Sequence, residues 1–195
     1  MPENLAEDKI TISMIGVKAI GIFCSAAENI NRIYFDAARE VGSWMARKGI
    51  TLVYGGAEMG LMEAVARAVK DGGGHIVGVV PNRIVEREVQ SRLLDETVLC
   101  DNLAERKQLM LQRSDLLLAL PGGIGTLDEV FHVMGSATIG EHRKRMVLYN
   151  VDGFWDECWL MLSKLNERGF IRGQLSDYVG MVSSVSELEE LIVNS

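Results

Sequence analysis

No Cys-x-x-Cys pair occurs in this chain, and its three cysteines, Cys24, Cys100 and Cys158, stand far apart. That excludes a disulfide framework and the usual zinc spacing, and it suits a reducing, cytoplasmic setting. Histidine is as scarce. His75, His132 and His142 show no metal-ligand spacing with one another, so no metal site is expected. No run approaches the roughly 18–20 apolar residues that cross a bilayer. The first residues carry Glu3, Glu7 and Asp8 where a secretory leader has a basic stretch. Cations are outnumbered: 20 Lys and Arg against 27 Asp and Glu give a formal net charge of −7, unlike a protein that grips nucleic-acid phosphates. Neither a nucleic acid nor a membrane is therefore an expected partner. A small anionic ligand stays open, because local amides and a few cations outweigh the global field.

What remains is ordinary globular material, 48% hydrophobic and 24% charged, and 195 residues suffice to bury a sizeable core. Repeats, low-complexity tracts and linkers are missing, so one domain is expected over 19–195, preceded by an extension at 1–18 with no clear period. From Ala19 the pattern is regular. Short apolar runs at 19–24, 50–54, 75–80, near 98, at 115–120, 145–149 and 180–182 read as strands. Between them, helical spacing covers 31–48, 60–71, 102–113, 126–138 and 154–168, with a closing helix at 186–193. The alternation predicts an α/β fold: a doubly wound, mainly parallel, Rossmann-like sheet with helices on both faces. The charged connection from Pro81 to Thr97 is the least readable part.

Two strand ends carry the chemistry. The apolar run from Leu116 to Leu120 ends in Pro121-Gly122-Gly123-Ile124-Gly125-Thr126, and an amphipathic helix follows at once. A helix N-terminus leaves N–H groups unpaired and carries the positive dipole end, which suits an anion, and glycines let the backbone approach it. No Gly-Lys-Ser/Thr follows, and the spacing is not Gly-x-Gly-x-x-Gly, so neither standard nucleotide loop is present. A blander reading stands beside this one. Thr126 and Glu129 have the Ser/Thr-x-x-Glu spacing of a capping box. The second turn, Tyr54-Gly55-Gly56-Ala57-Glu58-Met59-Gly60, favours the ligand reading, because two such turns at strand ends converge on one crevice in an open parallel sheet.

The helix from Asn102 has an informative fault. Leu103 and Met110 define an apolar face that also includes Arg106 and Lys107. Cations on an inward stripe are costly unless they are paired or face an anion; otherwise their stems snorkel past the core edge.

Pro121-Gly122-Gly123-x-Gly125-Thr126-x-x-Glu129, together with Arg106-Lys107 and Tyr54-Gly55-Gly56-x-x-x-Gly60-Leu61-Met62, resembles the Lonely Guy (LOG) family. Its members are nucleoside 5′-monophosphate phosphoribohydrolases, including cytokinin-activating enzymes, long labelled possible lysine decarboxylases. The likeness runs from about Ala19 to the C-terminus. It implies a catalytic pair at Arg106 and Glu129. It also implies substrate contacts from Gly55, Gly56, Gly60, Arg87, Lys107, Gly122, Gly123, Gly125 and Thr126, with the glycine loop and Thr126 on the 5′-phosphate. The chain departs from the family pattern at Ser25-Ala26-Ala27, Ala57, Glu63, Ser136 and Thr138, which bears on base specificity.

The implied reaction is hydrolysis of the N-glycosidic bond of AMP or an N6-modified AMP, with no cofactor. Cleavage builds an oxocarbenium-like ribose, and a carboxylate such as Glu129 would hold the ribose hydroxyls, offset that charge and orient water. Arg106 would clamp phosphate or assist departure of the base. Nothing resembles a lysine-bearing pyridoxal phosphate site. The alternative is a non-catalytic nucleotide or molybdenum-cofactor carrier of the same fold. Family likeness and the apolar residues at 130–134 and 155–162 together imply a homodimer.

Overall fold

The computed structural model describes residues 16–82 and 90–193. Arg87, and all but the last three residues of the expected extension at 1–18, lie outside the described residues.

Seven strands form one sheet: β1 (Ala19–Phe23), β2 (Thr51–Tyr54), β3 (Ile76–Pro81), β4 (Glu96–Cys100), β5 (Leu116–Ala119), β6 (Met146–Tyr149) and β7 (Val179–Val182). Their order is β4-β3-β2-β1-β5-β6-β7, and every pairing is parallel. The sheet is thus wholly parallel where a mainly parallel one was expected. Helices α1 (Arg32–Lys48), α2 (Gly60–Asp71), α3 (Leu103–Arg113), α4 (Ile124–Thr138), α5 (Asp156–Glu167) and α6 (Val185–Val193) cover it. None of them is long and apolar enough to cross a membrane.

Strand alternation sorts the core into two layers. Leu116, Leu118 and Leu120 pack with Val41, Trp44, Leu61, Val65 and Leu188, under α1, α2 and α6. Leu117 and Ala119 point the other way, to Met110, Val130, Val133 and Leu162 beneath α3, α4 and α5. Both faces of the sheet are covered, which is why its strands read as continuous apolar runs.

Local signals set the helix ends. Asn31 caps α1 by accepting the Ile33 N–H, and Gly49 closes it at φ 66°, with Arg47 and Lys48 in the last turn against the negative dipole end. Asn102 caps α3 by accepting the Glu105 N–H at 2.9 Å, while Glu105 Oε2 accepts the Asp101 N–H at 2.7 Å. That reciprocal cap fixes where α3 begins and so places Arg106 one turn into it.

Candidate functional site

The sheet order reverses at β1, which lies between β2 and β5. In open α/β sheets the crevice beyond the strand C-termini at such a reversal is where ligands bind. A cavity of about 350 Å³ opens there. The β1 end contributes Cys24, Ser25 and Ala26; α4 and its glycine turn contribute Gly123, Gly125, Thr126, Asp128 and Glu129. Leu103, Arg106 and Lys107 of α3 close one side, and Met62 of α2 another. A larger groove of about 760 Å³ lies between α1 and α2, but its charges are mixed and Arg39 and Arg67 are already bound to Asp36 and Glu63.

Helix α4 begins at Ile124, with Gly123 at its N-cap and no side-chain cap. The capping-box reading therefore fails: the helix starts two residues before Thr126, so Glu129 lies in the second turn, beyond reach of the end it was to cap. The first backbone bond of α4 runs from the Leu127 N–H to the Gly123 carbonyl, at 3.0 Å. The amides of Ile124, Gly125 and Thr126 precede that ladder, and Gly125 and Thr126 lie at the cavity wall. Gly122 lies behind: a Cβ there would overlap the Thr126 hydroxyl, and Thr126 itself is buried.

Glu129 turns across the cavity and accepts from Arg106 Nη1 at 2.6 Å. The pair is largely desolvated, with side-chain exposures of 12% for Arg106 and 8% for Glu129. Arg106 Nε also donates to the Val79 carbonyl at 3.3 Å. Burial pushes the Glu129 carboxyl above its ordinary value despite the opposing pull of Arg106. The Cys24 thiol is also pushed up, by burial first and then by Glu129, so it faces the pair as a neutral thiol. Lys107 pairs with Asp128 at 2.7 Å. Both cations flagged in α3 are therefore partnered. Leu103 departs from expectation: it is 63% exposed and forms the cavity rim instead of packing inward with Met110.

Like Gly122, three further glycines expected to touch substrate, Gly55, Gly56 and Gly60, stand outside the cavity lining. A Cβ at Gly55 would overlap the Arg106 guanidinium, so that turn is a seat for the arginine. Gly56, at φ 72°, presses against Val80 and Gly78. Gly60, at φ 54°, packs on the Ala26 and Ala27 backbone and lines the α1/α2 groove. The loop after β1 ties the two turns together: Ser25 N–H donates to the Pro121 carbonyl at 3.1 Å, and the Ser25 carbonyl accepts from Leu61 N–H at 2.9 Å. Sequence reading treated this loop only as a departure from the family pattern. Ser25 Oγ in fact accepts the Ala27 N–H at 3.0 Å and stays at the cavity wall. Ser136 and Thr138 satisfy their hydroxyls on carbonyls of their own helix and lie outside the cavity lining.

A profile of the family described as possible lysine decarboxylase matches residues 62–192. A probable cytokinin riboside 5′-monophosphate phosphoribohydrolase of Oryza sativa subsp. japonica is 36% identical over 173 residues, 89% of this chain and 71% of that protein. The chain belongs to the LOG family. Another LOG-family relative, a cytokinin riboside 5′-monophosphate phosphoribohydrolase of Arabidopsis thaliana, is 35% identical over 171 residues, 88% of this chain and 80% of its own. Among solved structures, the molybdenum cofactor binding protein of Rippkaea orientalis superposes with a TM-score of 0.69 at 23% identity, covering 90% of this chain and 95% of that one. At that identity the likeness speaks for the fold alone.

Proposed function

We propose that the cavity hydrolyses the N-glycosidic bond of a nucleoside 5′-monophosphate, AMP or an N6-modified AMP, releasing free base and ribose 5-phosphate. The observation that carries this reading is the buried Arg106–Glu129 pair facing the open N-terminus of α4 across one cavity. The α4 amides and Thr126 take the 5′-phosphate, as a helix N-terminus favours an anion. Lys107 adds charge beside it. Met62, Ala26 and Leu103 offer an apolar wall for the base. Glu129 holds the ribose hydroxyls and offsets the charge that grows on C1′ as the C1′–N bond breaks. The bond electrons leave with the base, which takes a proton, and water adds to C1′. A carrier needs no such buried ion pair, which favours the enzyme. Incubation with AMP and chromatography for free adenine tests this: adenine release is expected. Nucleotide bound but returned intact would put the carrier reading ahead.

The ionised form of Glu129 is the one that offsets a cation, and burial raises its pKa. Activity should therefore fall as the medium is acidified, with the acid limb of the kcat profile above the usual glutamate value. Glu129→Gln should abolish that limb from whatever activity is left. A wild-type profile flat down to ordinary glutamate pKa values would refute the assignment.

The working unit is a homodimer. Phe131 of α4, Leu160 and Met161 of α5, and Ile139 and Phe170 beyond the ends of these helices are all exposed apolar side chains on neighbouring elements. A second copy covering them removes that apolar area from water. Light scattering should give twice the monomer mass, and a stable monomer at micromolar concentration would refute this.

A further inference from the structure

The Gly55–Gly56 turn seats the Arg106 guanidinium, yet glycine backbone is intrinsically loose and a seat needs a brace. That brace comes from α2. The Gly56 carbonyl accepts the Ser91 N–H at 2.8 Å, and Ala57 bridges to Gln90 in antiparallel fashion. Ser91 is 3% exposed, and its hydroxyl donates to Glu63 Oε2 at 2.9 Å. The fully buried Tyr54 phenol completes the cluster beside Ser91 and Glu63. The other Glu63 oxygen accepts from Arg67 at 2.7 Å, on the solvent side. Glu63 is also one of the positions at which this chain departs from the family pattern.

We propose that Glu63 is a positioning residue for Arg106: through Ser91 it holds the Gly55–Gly56 turn against the guanidinium and so fixes the direction in which Arg106 meets Glu129. The proposal rests on the phosphoribohydrolase reading for its kinetic consequence, but not for its structural one. A buried serine that loses its acceptor seeks another partner, and the turn it holds relaxes. Arg106 then keeps its charge and loses its aim.

The test uses the full chain with Glu63→Ala, Glu63→Gln, Ser91→Ala and the Glu63→Ala/Ser91→Ala double variant. Kinetics on AMP are read beside the ¹⁵N–¹H signal of Arg106 Nε. Glu63→Ala and Ser91→Ala should each lower kcat about tenfold, short of the roughly 10²-fold that a full ångström of misplacement costs. KM should hold, and the Arg106 signal should shift. The double variant should be no worse than either single one, because both cut the same link. Glu63→Gln should keep wild-type kcat, since its amide oxygen still accepts the Ser91 hydroxyl. Arg67→Ala should match wild type, because that partner lies outside the link. An unmoved Arg106 signal in both single alanine variants, additive losses, or a Glu63→Gln as slow as Glu63→Ala would overturn the proposal. If wild type releases no base from AMP, the hydrolase reading fails by itself, and the Arg106 signal still decides the brace.

Discussion

Glu129→Gln should cost turnover of a nucleoside monophosphate roughly 10²-fold or more, equivalent to about 2.7 kcal/mol of barrier. Glutamine keeps the shape and the oxygen that meets Arg106, but it has no charge to set against a ribose cation. Thermal stability at neutral pH should not rise in this variant: glutamine still offers an oxygen to Arg106 Nη1, but the largely buried guanidinium loses its counter-charge. A Glu129→Gln enzyme with normal turnover would remove the carboxylate from the mechanism.

Gly55→Ala should abolish turnover as completely as Arg106→Ala, although it adds only one methyl group. The new Cβ would overlap the Arg106 guanidinium, which is the far end of a flexible side chain and moves before the backbone does. Gly55 has no positive φ, so alanine brings no backbone strain there. The displaced arginine loses Glu129 and the Val79 carbonyl together. The expected phenotype is a folded protein with a near-wild-type circular dichroism spectrum and no base release. Gly56→Ala is a useful contrast. Its φ of 72° and its contact with Val80 make alanine strained, so stability should fall along with activity. An active Gly55→Ala would show that Arg106 tolerates displacement, and that its seat does not matter.

Much of this site is legible in the sequence. Apolar runs ending in Gly55-Gly56 and Gly122-Gly123 announced two turns at one edge of a parallel sheet, since period-2 and period-3.6 patterns are local properties of the chain. Arg106 and Lys107 stood out because a cation on an apolar stripe costs energy wherever it is placed. The start of α4 was misplaced by two residues, because Gly123 as N-cap has no side chain to signal it. Leu103 was assigned inward because periodicity marks a face without saying whether protein or an open cavity lies opposite.

The sequence by itself determined the strand–helix alternation, the two glycine turns and the residue types available for phosphate and ribose. Each of these depends on neighbours within a few positions. Only the tertiary structure decided that Arg106 meets Glu129, that Gly55 packs against the Arg106 guanidinium, and that Ser25 links the turns. The brace from Glu63 to Ser91 spans 28 positions, and the Arg106–Glu129 pair spans 23. Contacts at such separations are set by which strands become neighbours. In this sheet that choice was made when β5 paired with β1 on the side opposite β2, bringing distant segments to one crevice.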